Sequence, residues 1–251
     1  MQDFDLHVHS TFSDGADDPE TIVKTAIELG LSCIGISDHS YEPGAEEWCM
    51  REDALPAYRQ AIAALKEKYA DKIIVLCGIE QDLYSPQPPQ GFDYVIGSVH
   101  FLRHNNELAA VDEAPSFLQE AADNWFDGDM YSVTELYYQE MAKVAERTKA
   151  DYIGHFDLIT KFNEHGTLFD PEHPRYRAAA CAAADTLLHY KKPFEINFGA
   201  IARGYRTSPY PSADLRAYIV SHGGTFILSS DSHAASTIGG GFAAPIRPGV
   251  R

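Results

Sequence analysis

Cysteine is scarce in this chain. There are four in 251 residues, Cys33, Cys49, Cys77 and Cys181, and none pair as C-x-x-C. That spacing excludes a disulfide scaffold and fits buried free thiols in a reducing compartment. Long hydrophobic runs are also missing. No apolar stretch reaches the roughly 20 residues needed to span a bilayer. The N-terminus, "MQDFDLHVHS", is polar and acidic and lacks the regions of a signal peptide. We therefore expect a soluble, cytoplasmic protein with no membrane partner. Positive charge is the third shortage: 20 Lys and Arg stand against 37 Asp and Glu, a formal net charge of −17. A surface of that sign argues against nucleic acid as a partner. It still allows a small anionic substrate, because divalent ions and a few arginines can reverse the potential inside one pocket. Oligomeric state is not legible here.

What is present is an alternation. Short apolar runs are followed by longer amphipathic ones. Phe4 to His9 reads as a strand, and Pro19 to Leu29 as a helix capped by Asp17 or Asp18 and stopped by Gly30. Cys33 to Ser37, Lys72 to Ile79, Tyr94 to Ser98, Asp151 to Gly154, Pro193 to Asn197 and Thr225 to Ser230 read as further strands. Ala54 to Tyr69, Tyr131 to Arg147, Tyr176 to His189 and Ser212 to Ser221 read as helices. The polar span Phe101 to Met130 reads as a long active-site loop. Seven strands alternating with helices predict one domain over residues 1–251 with a parallel sheet, either a barrel or an open doubly wound sheet. No linker, repeat or low-complexity tract interrupts it.

Metal-ligand residue types gather at strand ends. His7 and His9 lie two apart and so share one face of a strand. Asp38-His39 in "GISDH", Glu80 in "GIE", His100 in "GSVH", His155 in "GHFD" and Asp231 with His233 in "SSDSH" each follow a strand. Taken singly, each is as well explained by a cap, a turn or an interior histidine. Taken together they share one rim, because a parallel barrel gathers the carboxyl ends of its strands. Imidazole and carboxylate suit zinc, manganese or iron. The donors are too many for one ion with three or four protein ligands, so two or three divalent ions are expected.

The motifs "DLHVHSTFSDG", "GISDH", "GIE", "IGSVH", "GHFD" and "SSDSH", in this order, resemble the polymerase and histidinol phosphatase (PHP) superfamily from Asp3 to about Gly241. Within it, "GHFDLITKFNE" and "EINFGAIARGYRTSPYPS" resemble the histidinol-phosphate phosphatase branch. The resemblance implies a distorted (β/α)7 barrel with three divalent metals. It implies that His7, His9, Glu80 and Asp231 hold the first, and Glu80, His100 and His155 the second, Glu80 bridging. It implies that His39, His233 and Asp14 hold the third, although many relatives have a histidine near the place of Asp14. Asp38 is expected to orient His39 from behind.

The implied activity is hydrolysis of a small phosphorylated substrate, L-histidinol phosphate, to L-histidinol and phosphate in histidine biosynthesis. A metal-bridging hydroxide would attack phosphorus. Arg203 and then Arg206 are the expected phosphate-binding groups, since a guanidinium fork matches phosphate oxygens. Lys161 joins them as a point charge where some relatives have arginine. Asp231 or a histidine would protonate the leaving alkoxide, and Asp82 or Glu164 would pair with the cationic end of the substrate. Two other readings stay open: a PHP phosphoesterase for a nucleotide or sugar phosphate, and a metal-binding protein without turnover. One departure remains. The tail "GGGFAAPIRPGVR" has no helical period, so the helix that should close the barrel after the last strand is missing. A truncated or frameshifted end, lowered stability or a partner covering an exposed barrel flank is expected from that.

Overall fold

The computed structural model describes residues 2–86 and 90–243. Its elements in chain order are β1 (Phe4–Asp5), α1 (Pro19–Glu28), β2 (Cys33–Ile36), α2 (Leu55–Lys68), β3 (Ile74–Asp82), β4 (Tyr94–Ser98), β5 (Phe101–His104), β6 (Glu107–Ala110), α3 (Pro115–Phe126), α4 (Met130–Met141), α5 (Val144–Thr148), β7 (Tyr152–Ile153), α6 (Pro174–Leu188), β8 (Phe194–Asn197), α7 (Gly199–Ala202), α8 (Ala213–Ser221) and β9 (Phe226–Ser229). The main sheet has seven strands in the order β1-β2-β3-β4-β7-β8-β9, all parallel. It curls until its edges meet, which makes the distorted (β/α)7 barrel. No helix among the described residues is long and apolar enough to cross a membrane.

The helices follow local chemistry. Asp18 caps α1 by accepting from the amides of Glu20 and Thr21, and Pro19 opens its first turn. Asp17, the other candidate cap, instead accepts from the Ala235 amide at 2.7 Å. The outer face of the barrel carries two large apolar clusters. One packs α1 and α2 through Ile22, Val23, Tyr58 and Ile62, and the other packs α3 to α8 through residues such as Val133, Tyr137, Phe156 and Leu187. Inside, Tyr94 spans the barrel floor. A side chain on Gly35 or Gly78 would strike its ring, and its hydroxyl donates to the Leu6 carbonyl at 2.6 Å.

The seam between β9 and β1 is closed mostly by side chains. The Gln2 amide both donates to the Leu228 carbonyl and accepts from its N–H, at 2.7 and 2.8 Å, as a neighbouring strand would. Asp5 accepts from the amides of Ser230 and Gly239. Backbone pairing resumes only at the top, where His9 N–H donates to Ser232 and Ser232 N–H to His7. The first strand is thus shorter than Phe4 to His9, because its upper part pairs through a single bridge at Val8.

The structure corrects two further expectations of secondary structure. Phe101 to Met130 is not a loop but an antiparallel hairpin, β5–β6, followed by α3. Its turn is Asn105-Asn106, both in the left-handed region that asparagine tolerates, and this hairpin signal lies in the sequence. The helix expected over Tyr131 to Arg147 breaks into α4 and α5. No α-helix follows β9 among the described residues, as expected, yet the flank is not bare. Ala235 and Ile238 pack into the cluster of α1, and Phe242 packs on Phe198. Residues 244–251 of the tail lie outside the described residues.

Candidate metal centre

The carboxyl ends of the strands open into a bowl of about 230 Å³ lined by Asp14, His39, Glu80, His100, His155, Asp231 and His233, with Lys161 and Arg203 on its wall. His7 and His9 are buried beneath it. Strand geometry explains the gathering: Glu80 sits within β3, His39 bridges to it in parallel register, and His100 and His155 follow β4 and β7. Asp231 holds a left-handed backbone with φ 49°, and Gly199 leaves room for its side chain, since a Cβ there would lie 2.6 Å from Oδ2.

Glu80 is the hub. Its Oε2 lies 2.9 Å from His39 Nδ1, 3.3 Å from His7 Nε2 and 3.6 Å from His9 Nε2. Its Oε1 lies 2.8 Å from His155 Nε2 and 3.5 Å from His100 Nε2, and accepts from Ser98. Asp231 Oδ1 is 3.2 Å from His9 Nε2 and 3.6 Å from His7 Nε2. Asp14 reaches His233 at 3.2 Å, His39 at 3.7 Å and His9 at 3.9 Å. Three groups of donor atoms are each close enough for one cation: His9, Asp14, His39 and His233; His7, His9 and Glu80; and His39, Glu80 and His100. His9 therefore faces both the first and the third expected sites.

The residues present fit a divalent metal. His7 Nε2, both ring nitrogens of His9, His155 Nδ1 and Glu80 Oε2 are buried without a hydrogen-bond partner. Orphaned buried polar atoms at this density are costly, and a cation among His7, His9 and Glu80 would satisfy theirs. Burial and the neighbouring His233 and His39 push His9 down to about 3, so it stays neutral. Against its own burial, His39 is pushed up to about 9 by the Glu80 and Asp14 carboxylates. Glu80 and Asp231, though buried, are held well below the usual carboxylate range by the imidazoles around them.

Supporting carboxylates aim the ligands. Asp82 accepts from the His100 amide and ring Nδ1 at 2.8 and 3.2 Å, leaving Nε2 for the centre. It is therefore spent on His100 and is not a partner for substrate. Asp38 does not touch the His39 ring through a hydrogen bond. It accepts from the amides and hydroxyls of Ser10 and Ser13, and so holds the loop that carries Asp14. Burial pushes its carboxyl up to about 6 despite these bonds.

The phosphate-binding expectations divide. Arg203 stands at the bowl, its guanidinium 3.6 Å from Asp231 and 3.4 Å from His233 Nε2. Lys161 is there too, held by the Asp112 carbonyl and carboxylate at 2.6 and 3.0 Å. Arg206 is not. It donates to Thr160 and to Ser208, and it lines a separate groove between α6 and α8. Glu164 lies on that groove as well, accepting from Thr207 and Ser208. Both were expected at the substrate because they follow the right motifs, but their hydrogen-bonding capacity is used to fix the loop between β8 and α8. The residues missed were Trp48, Asp112, Glu113 and Tyr205 on the bowl wall. Asp112 and Glu113 follow the hairpin that had been read as loop.

The PHP domain family profile matches residues 5–198. The chain belongs to the PHP family. Its curated relatives include a Deinococcus radiodurans protein named probable histidinol-phosphatase, 28% identical over 257 residues covering 97% of this chain and 91% of that one. They also include the Lactococcus lactis histidinol-phosphatase, 28% identical over 254 residues covering 94% and 86%. Among solved structures, the Lactococcus lactis histidinol phosphate phosphatase complexed with zinc, L-histidinol and phosphate superposes with a TM-score of 0.69 at 25% identity, covering 93% of this chain and 87% of that one. A Listeria monocytogenes structure shares the fold at a TM-score of 0.83 and 20% identity, covering 97% and 100%. The PHP fold thus accounts for the barrel.

Proposed function

We propose that this chain is a metal-dependent phosphomonoesterase that hydrolyses L-histidinol phosphate, with one domain carrying the whole activity. The observation that carries the reading is the junction in one bowl of orphaned, buried ligands with two cations, Arg203 and Lys161, and two acids, Asp112 and Glu113. The names and contents of the relatives support the substrate.

His7, His9, Glu80 and Asp231 would hold a first ion, Glu80, His100 and His155 a second, and His39, His233 and Asp14 a third, with zinc, manganese or iron all suited to the donors. Bound ions supply Lewis acidity and a nucleophile near neutral pH. The chain's own groups do the rest. Arg203 and Lys161 bind and orient the phosphoryl group and neutralise charge that builds on its oxygens. With Asp231 and the histidines of the bowl spent as ligands, none of them is free to pass a proton to the leaving alkoxide. Glu113, also lining the bowl, suits an ammonium or imidazolium, which a nucleotide or sugar phosphate would not offer. The four cysteines are free, as a cytoplasmic enzyme's would be.

Phosphate release should be measured from histidinol phosphate beside nucleotide and sugar phosphates, with metal content assayed on the same sample. Preference for histidinol phosphate with two to three ions per chain is expected. Metal with turnover only of other esters overturns the substrate, and metal without any turnover overturns the enzyme.

A further inference from the structure

Glu195 lies at the heart of the site, and no step above uses it. It stands on β8 in "FEIN", fully buried, with no lysine or arginine paired to it among the described residues. Its Oε1 is 2.8 Å from His7 Nδ1. Its Oε2 accepts from the His155 amide at 3.2 Å and from Asn197 Nδ2 at 3.3 Å. Asn197 Nδ2 also reaches Asp231 Oδ2 at 3.2 Å, and its Oδ1 accepts from the Gly199 amide. One short strand therefore touches His7, His155 and Asp231 from beneath.

We propose that Glu195 is a positioning residue that fixes the tautomer of His7. The inference rests on the metal-centre reading above. A neutral imidazole has one N–H, and a carboxylate can only accept. Glu195 therefore holds the proton on Nδ1 and leaves the Nε2 lone pair facing Glu80 and Asp231, where the ion would sit. Carboxylates behind ligating histidines act in this way in general. Asn197 extends the arrangement by keeping Glu195 and Asp231, two buried acids, joined through one amide.

The chemistry of the second oxygen makes the idea testable. Oε2 faces two donors, so in E195Q the amide oxygen is forced to that side. Its NH₂ then points at His7 Nδ1, which must accept, and the His7 proton moves to Nε2, the metal side. The isosteric glutamine should therefore do more harm than E195D, which is shorter but still accepts. A role in packing alone predicts the reverse order.

The test is zinc affinity by competition with a chromophoric chelator, on full-length protein without substrate. The wild type should bind zinc. E195Q should lose roughly 10–100-fold in affinity at the weakened site, and E195D should lose less. Equal affinity of E195Q and wild type, or a larger loss in E195D, overturns the proposal. Should E195Q not fold, nitrogen NMR of the zinc-loaded wild type decides: His7 protonated at Nδ1 with its Nε2 free of a proton supports the assignment, and the opposite tautomer overturns it. A wild type that takes no zinc, manganese or iron overturns the metal-centre reading itself, a failure that the variant comparison does not mimic.

Discussion

The two sides of the barrel are closed by different means. Between β3 and β4 five residue pairs run in register, Gly78 with Tyr94 through Asp82 with Ser98. Pairing there is backbone to backbone, so the ladder itself does not depend on side-chain hydrogen bonds. Between β9 and β1 the lower rungs are supplied by Gln2 and Asp5, and only the top is a true strand pair. A seam made of side chains depends on the identity of each one. Burial also pushes the Asp5 carboxyl above its usual range, although Ser230, Gly239 and His7 donate to it. The same seam carries His7 and His9 on one side and Asp231 and His233 on the other. A metal held between them would fasten the barrel where its ladder is weakest, and the centre would then be structural as well as chemical.

The largest effect should come from removing a group at the top of the seam. His7→Ala or Asp231→Asn should lower kcat by about 10³-fold or more, since losing a bound ion removes both Lewis acid and nucleophile. Retention of a tenth of the activity would show that the seam ligands are not the centre. Next comes the metal itself. Chelation should destabilise the protein by ~3–4 kcal/mol where the free ion would stand at 100 to 1,000 times its dissociation constant. Hydrogen exchange should then quicken at Ser232 and His9 before it does at Ile79 to Gln81; uniform change along both edges would erase the distinction drawn here. A smaller loss, ~2 kcal/mol, is expected for Asp5→Ala, which leaves the buried amides of Ser230 and Gly239 unpaired. Urea denaturation measures it, and a loss within about 0.5 kcal/mol of zero would count against a special seam. Smallest in catalysis is Arg206→Ala. It should cost ~1–2 kcal/mol of stability through Thr160 and Ser208 and change kcat/KM by less than about threefold. A hundredfold loss in kcat/KM would return Arg206 to the phosphate.

Much of this was legible in advance, for identifiable reasons. His7, His9, His39, Glu80, His100, His155, Asp231 and His233 could be read because ligand types recur after apolar runs, and a parallel barrel has only one rim for them. The hairpin was legible in principle, as Asn105-Asn106 between two short runs, but the polarity of the span hid it. Glu195 could not be found this way. A carboxylate inside an apolar strand gives no sign of which imidazole it meets across the barrel. Arg206 and Arg203 are three residues apart and look alike on paper, yet one faces the bowl and the other faces Thr160.

The sequence by itself determined the order of the seven barrel strands, the sign of the charge and the set of imidazoles and carboxylates, because periodicity and residue chemistry are local properties of the chain. Only the tertiary structure decided that His9 faces two sites, that Asp82 and Glu195 stand behind His100 and His7, and that side chains close the seam. Those facts depend on where a strand's curl brings residues nearly 200 or more positions apart, as with Glu195 to His7 and Leu228 to Gln2. Local pattern does not encode such distances.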